Sequence, residues 1–267
     1  MNPLRIFTDQ MQRVVELPVW PPKRIISLVP SQTEFLADLG LDNEVIGITK
    51  FCIHPKRWFQ EKTRVGGTKT LNLSVIQALN PDLIIGNKEE NDIQQIQALQ
   101  TQFPVWMSDI IRFQDALQMM HQVGEITGRP MEAQSIMEDV ENAFANLPVR
   151  IPKRKAAYLI WYKPYMAAGG TTYIDQMLEI AGFENVFQHL VRYPEVTEEQ
   201  ILAANPEVIL LSSEPFPFAE KHIDALQHLC PAAKVLLVDG ELFSWYGSRM
   251  LQVPGYFKRL REQIGIT

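Results

Sequence analysis

"LNPDLIIG" (Leu79–Gly86) and "ANPEVILL" (Ala204–Leu211) carry nearly the same message in one chain. Aligned on Pro81 and Pro206, they lie 206 − 81 = 125 positions apart. The match runs backwards as well: "NLSVIQALNPDLII" stands over "TEEQILAANPEVIL", with Ile76 over Ile201, Ala78 over Ala203 and Asn80 over Asn205. In each copy a short helical pattern ends in Asn-Pro, a turn cue, and an apolar run bounded by turn residues follows, as in a buried strand. A unit used twice, half a chain apart, predicts two lobes of similar build.

The flanking sequence extends this plan. "RIFTDQMQRVVEL" reads as a hairpin. "PPKRIISLV" then gives a buried strand, and "PSQTEFLADLG" a helix, with Ser31 as N-cap, Glu34 closing a capping box and Gly40 ending it. "EVIGIT", "DLIIG" and "PVWM" read as strands, with "LSVIQALN" and "NDIQQIQALQTQF" as helices between them. Such alternation of helices with fully apolar strands predicts a parallel sheet covered on both faces. After the helix "FQDALQMMHQVGEITG", Pro130 opens another helix with Ala133, Ile136 or Met137, Val140, Phe144 and Leu147 on one face. No strand follows it directly, so residues 130–147 are expected to connect an N-terminal lobe (1–129) to a C-terminal lobe (148–267). The second lobe repeats the plan with strands "AAYLIW", "EVILLS" and "KVLLVD" and helices "TYIDQMLEIAG", "EEQILAAN" and "KHIDALQHL". Its last helix, "SRMLQVPGYFKRLREQI", is expected to break or kink at Pro254. Ligands of open α/β sheets sit at the carboxyl ends of the strands, which places the expected site in a cleft between the lobes.

Bulk properties narrow the function. The 267 residues are 46% hydrophobic and 21% charged, with a net charge of −6, which argues against nucleic acid as a partner. No apolar stretch reaches membrane length, so direct membrane insertion is not expected. Cys52 and Cys230 lie far apart and form no CxxC, which disfavours a disulfide framework or a cysteine metal site. No leader is legible in "MNPLRIFTDQMQRVVELPVWPP". GxGxxG, GxSxG, P-loop and HExxH patterns are all missing, and an enzyme is not expected.

"PPKRIISLVPSQTEFLADLG", "VGGTKTLNLSVIQALNPDLIIG", "GGTTYIDQMLEIAGFENVF" and "YPEVTEEQILAANPEVILL" occur in an order and spacing that resembles the helical-backbone (class III) substrate-binding proteins of ABC importers. The closest likeness is to the cobalamin-binding branch of the cobalamin, siderophore and haem receptors. It covers about Pro22 to Leu260. The resemblance implies two Rossmann-like lobes joined by a rigid helix and a cleft holding a bulky metal chelate. That chelate would be cobalamin or another corrinoid, a ferric siderophore or haem, with no covalently required cofactor. An ABC permease is the implied partner and the periplasm or cell envelope the implied location. A leaderless cytosolic carrier, sensor or enzyme subunit for corrinoids or metals is the alternative. The sequence departs from the family at identifiable positions. Glu199 matches one of two transporter-docking glutamates, but Ser74 stands where the other is expected. Trp161 and Tyr193 match aromatic positions of the cleft, whereas Thr68 and Asn87 replace expected tryptophans.

Candidate contacts are the residues at predicted strand exits. Ser31, Gln32 and Thr33 begin a helix whose amide N–H groups suit an anionic or carbonyl group. "TKFCIHPKRW" supplies Trp58 as a wall and His54 as a metal ligand. "GGTKT" includes Thr68, and "GNKEEN" supplies Asn87 and Glu89. In the second lobe Trp161, Tyr162 and Tyr165 offer flat apolar faces with polar rims, and Thr171 precedes a helix start. Phe216, Trp245 and Tyr246 extend the wall, and Arg249 suits a carboxylate or phosphate.

Overall fold

The computed structural model describes residues 4–148 and 153–265. The chain divides into two compact units. One holds the chain up to Ile110, Gln114–Asn142 and the short excursion Tyr246–Arg249; the other holds Ile111–Phe113, Ala143–Trp245 and the chain from Met250 on.

The first unit begins with the expected hairpin, β1 (Arg5–Thr8) antiparallel to β2 (Val14–Leu17). β3 (Ile25–Ser27), α1 (Pro30–Asp38), β4 (Val45–Ile48), α2 (Lys56–Glu61), β5 (Thr63–Arg64), α3 (Leu73–Leu79), β6 (Leu83–Asn87), α4 (Ile93–Gln100), β7 (Val105–Ser108) and α5 (Phe113–Thr127) follow. The strands form a five-stranded sheet in the order β5-β4-β3-β6-β7, with every pair parallel. β6 and β7 are buried at every position, as strands covered on both faces must be. Ile26, Leu28, Ile76, Ile84, Ile96 and Leu99 form much of the core beneath them. Ile93 at the start of α4 is 54% exposed, and Ile96 and Leu99 anchor that helix.

The change of unit falls inside α6 (Pro130–Ala145), between Asn142 and Ala143. Only Ala133 and Val140 of its predicted apolar face are buried. In the second unit come β8 (Arg154–Trp161), β9 (Tyr165–Ala167), α7 (Tyr173–Ala181), β10 (Phe183–Asn185), β11 (Glu195–Val196), α8 (Glu198–Ala204), β12 (Val208–Ser212), α9 (Glu220–Leu229), β13 (Lys234–Val238), α10 (Glu241–Ser244) and α11 (Val253–Ile264). The sheet order is β11-β9-β8-β12-β13, with β10 also on β8. β12 lies parallel to both β8 and β13, whereas β9 folds back antiparallel on β8. That return, together with β10 and β11, was not legible as strand because each run is only two or three residues long.

Two helix ends differ from expectation. α1 starts two residues earlier, with Pro30 in its first turn and Val29 as an N-cap that makes no side-chain bond, so Ser31 lies inside the helix. Proline's fixed φ suits a first turn and displaces the capping box. Pro254 likewise stands in the first turn of α11 after a 3-10 turn (Ser248–Gln252), so it starts a helix rather than kinking one.

Candidate functional site

The carboxyl edge of the first sheet is a hydroxyl and amide network. Gln32 Nε2 and Asn87 Nδ2 both donate to Ser108 Oγ, at 2.6 and 2.9 Å, and Ser108 Oγ donates to the Gly86 carbonyl at 3.2 Å. Thr33 Oγ1 lies 2.7 Å from Ser27 Oγ, 2.8 Å from the Val29 carbonyl and 3.1 Å from Cys52 Sγ. Burial pushes the Cys52 thiol up, against the hydrogen bonds from Thr33 and Thr49, so it is an unreactive core thiol. Asn87 Oδ1 accepts the N–H groups of Glu89 (2.8 Å) and Glu90 (3.1 Å), shaping the turn after β6. Thr68 is held from its carbonyl by Asn91 Nδ2 at 3.1 Å. Gln32 and Asn87 are therefore brought together on Ser108, whereas Thr33 bonds Ser27 and Cys52; with Ser31 all are buried.

Trp58 corrects the expectation of a wall. Its indole is wholly buried in α2 and Nε1 donates to Asp42 Oδ1 at 2.6 Å, so it offers no face to solvent. His54, beside it, is half-buried, and no cluster of three His, Cys, Asp or Glu side chains suited to a metal occurs among the described residues. The apolar surface at this edge comes from residues passed over in the sequence. Phe51 is 51% exposed and Ile53 45%, both just after β4. The readable signal was the apolar "F-C-I" directly after a buried strand and its Thr-Lys.

The second unit concentrates aromatic side chains at one strand exit. Tyr162 is the hub: its ring centroid lies 4.9 Å from His222, 5.4 Å from Tyr165, 5.8 Å from Phe216 and 6.5 Å from Phe218. Trp161 meets Phe216 edge-on at 5.7 Å and keeps 39% of its surface exposed. Such tilted and edge-to-face pairs are favoured by the ring quadrupoles. They pack the rings against one another, and Trp161 stays partly exposed. Burial, and then Tyr162, push the Tyr165 phenol up to about 12, so it stays protonated at neutral pH. His222 accepts the Ala219 N–H on Nδ1 at 2.9 Å and so is anchored at the start of α9. Phe218 and His222 are not among the candidate contacts read from the sequence, although "FPF" beside "KH" marks them.

The remaining predicted residues separate. Thr171 is exposed at φ 61° and is followed by Thr172, which caps α7. Gly169 and Gly170 allow the 188–192 backbone to pass close by: a Cβ on either would collide with a carbonyl of that segment. Tyr193 is half-buried at the same crossing. Trp245 is buried and donates from Nε1 to Glu214 Oε1 at 2.8 Å. Tyr246 is also buried. Arg249 belongs to the first unit, where it grips Glu34 through two bonds of 2.7 and 2.8 Å. The carboxylate expected for Arg249 is thus supplied by the chain itself. Glu34 was freed for this by the loss of the capping box. Ser74 and Glu199 are both exposed in the first turns of α3 and α8, and Ser74 Oγ donates to Asn72 Oδ1 at 2.8 Å.

Two α/β units linked through α6, with parallel strands presenting their carboxyl ends, define the class III binding-protein fold. The family model described as "Periplasmic binding protein" matches residues 25–233, and the chain belongs to that family. Among similar curated proteins, a vitamin B12-binding protein of Photorhabdus laumondii is 27% identical over 237 residues, covering 86% of this chain and 84% of its own. Another, from Vibrio parahaemolyticus, is 27% identical over 197 residues, covering 72% and 71%. Solved structures share the fold. The periplasmic vitamin B12 binding protein BtuF of Vibrio cholerae aligns with a TM-score of 0.74 at 24% identity, over 91% of this chain and 99% of that one. The periplasmic heme-binding protein BhuT, in complex with two hemes, gives 0.79 at 21% identity over the same shares. No helix among the described residues is long and apolar enough to cross a membrane.

Proposed function

We propose that this chain is the substrate-binding component of an ABC importer, and that it holds a bulky metal chelate at the strand exits of its two sheets without chemical change. The ligand belongs to the corrinoid, ferric siderophore or haem group. The observation that carries this reading is the ring cluster around Tyr162, which packs against a partly exposed Trp161 at the end of a central strand. A large conjugated ligand matches such a surface, because a pre-ordered aromatic wall loses little side-chain entropy on binding. The family and its relatives support the class of ligand. Within this reading Phe51 and Ile53 are the apolar contacts of the first unit, and Gln32, Thr33 and Asn87 brace the edge from which they project. Glu199 is the docking acid for a permease, and transport follows from handing the loaded chelate over at that surface.

Titrating the purified protein with cyanocobalamin, haem and a ferric siderophore panel, followed by tryptophan quenching, tests the reading. One class is expected to bind with a Kd at or below about 10 μM, which corresponds to roughly −7 kcal/mol. No complex with any of them at tens of micromolar overturns it. Ser74, in place of a docking acid, favours a second reading, a chelate carrier that works without a permease. Cell fractionation separates the two, since protein confined to the envelope excludes the carrier.

A further inference from the structure

We propose that the first unit binds a small molecule bearing a primary carboxamide, in a cavity between the N-terminal hairpin, β7 and α5. The cavity is about 240 Å³ and is lined by Ile6, Phe7 and Thr8 of β1, Trp106 of β7, and Gln122 and Glu125 of α5. All of these residues belong to that unit. The chain builds the space by pinning the hairpin at two points. At its turn, the Gln10 N–H donates to the Met107 carbonyl at 3.2 Å, and Gln10 Nε2 donates to the Asp115 carbonyl at 2.7 Å. Past its open end, Trp20 Nε1 donates to the Glu125 carbonyl at 3.3 Å. Between these points β1 pairs with β2 and with no other strand among the described residues. The Asp9 N–H donates to the Arg13 carbonyl at 3.0 Å. By the alternation of an antiparallel pair, the Phe7 backbone then turns toward β2, and the Ile6 and Thr8 backbones turn away from it. Ile6 and Thr8 line the cavity, so β1 offers it a strand edge that no other strand covers.

The opposite wall carries a second, independent observation. Trp106 Nε1 and Gln122 Oε1 are both buried and have no hydrogen-bond partner. One is a donor and the other an acceptor, and leaving either unpaired inside a protein is unfavourable. The Trp106 indole is wholly buried and held in place, whereas Gln122 is half-buried and turns its amide by rotation about its side-chain bonds. A primary carboxamide answers both groups at once. Its oxygen accepts from the indole N–H, and its NH2 donates to Gln122 Oε1 with a second hydrogen left for a carbonyl on the β1 edge. Ile6, Phe7 and the Trp106 ring receive the apolar part of the molecule. A cavity of about 150 Å³ suffices for benzene, so 240 Å³ accommodates one ring together with its amide. The charged side chain in the lining is the Glu125 carboxylate, which disfavours an anion of the same shape. This site and the chelate site do not depend on one another.

The test titrates the full chain, labelled with nitrogen-15, with benzamide, N,N-dimethylbenzamide and benzoate. The protein has 5 tryptophans, hence as many indole N–H signals, and Trp106→Phe identifies the one that matters. Benzamide is expected to move that signal with a Kd at or below about 1 mM. The dimethyl amide has no N–H to give, and benzoate adds a charge as well; both should bind at least about tenfold more weakly. Gln122→Met keeps the bulk and removes the acceptor, and should weaken benzamide about tenfold. The other indole signals, in their wild-type positions, report that this variant is folded. A Trp106 signal that stays in place at about 10 mM benzamide overturns the inference, since the two groups then hold water or bond each other. Equal affinity for benzamide and its dimethyl derivative, or unchanged affinity in Gln122→Met, overturns it as well. Each of these outcomes leaves the chelate reading intact.

Discussion

The two copies of the repeated stretch agree where they build and disagree where they end. α3 and α8 start at Leu73 and Glu198, and β6 and β12 at Leu83 and Val208, each pair 125 positions apart. Both helices stop on an asparagine in the left-handed region, Asn80 at φ 43° and Asn205 at φ 47°. Before each strand an acidic side chain accepts a backbone N–H at 2.9 Å, Asp82 from Lys23 and Glu207 from Lys155. Both strands are buried at all five positions. Beyond them the copies part. The first runs into a polar turn organised by Asn87, the second into Pro-Phe-Pro-Phe and the ring cluster. Residues that hold a strand in a sheet face the same demands in both units, whereas residues past its carboxyl end face solvent or ligand and are free to diverge.

The strands give the strongest test of that equivalence. Ile85→Ala in β6 and Leu210→Ala in β12 each remove a wholly buried side chain, and each should cost about 2–5 kcal/mol in urea unfolding. A cost under about 1 kcal/mol in only one of them would show that the copies are alike in outline and not in packing. Next in size is Arg249, which has no counterpart in the repeat. Its ion pair with Glu34 is largely buried, with side chains 10% and 18% exposed. Arg249→Met leaves that carboxylate unpaired and should cost about 1.5–3 kcal/mol. The double variant with Glu34→Met should recover much of the loss. Unchanged stability with abolished chelate binding would instead return Arg249 to the role its residue type first indicated.

What was legible follows the same division. The parallel strands, the hairpin and the helices between them were readable because burial imposes periodicity and Asn-Pro or Gly marks the ends. The ring cluster was half legible: Trp161, Tyr162, Tyr165 and Phe216 stood out as aromatics at a strand exit, and the structure brings them together. Phe218 and His222 join through the course of the loop into α9, which no local pattern encodes. Trp58 and Arg249 were misplaced for one reason. A tryptophan or arginine in a loop-like stretch looks available until its partner is known, and Asp42 and Glu34 are distant in sequence. Phe51 and Ile53 were overlooked because a single exposed apolar residue is ordinary, and only their common position after β4 gives them weight.

A smaller effect is expected at the asparagine ends of α3 and α8. Asn80→Ala and Asn205→Ala should each cost about 1 kcal/mol, since a Cβ without a polar tip is strained at positive φ. Asn80→Gly and Asn205→Gly should stay within about a few tenths of a kcal/mol of the wild type, because glycine adopts the conformation freely. Thermal unfolding of the four variants reads this directly. A clear penalty at one site and none at the other would mean that the two turns are held by different forces.

The most delicate contrast lies on either side of β12. Glu207, before the strand, is exposed and held below the usual carboxylate range, first by the Lys155 N–H and then by Arg154. Glu214, after it, is pushed up by burial, against hydrogen bonds from Ser244 Oγ and Trp245 Nε1, with Glu241 and Asp239 adding repulsion. The signs are opposite. A raised carboxyl binds more protons folded than unfolded, so stability is greatest below the ordinary value of 4.5 and falls as pH rises through the raised one. Glu207 contributes the reverse, a loss as pH falls. Subtracting the pH–stability curve of Glu214→Gln from that of the wild type cancels the Glu207 term and isolates Glu214. The difference should decline with rising pH from 4.5 upward and then level off. A flat difference would mean that water reaches this carboxylate, and the exit of β12 would then be as open as the polar turn after β6.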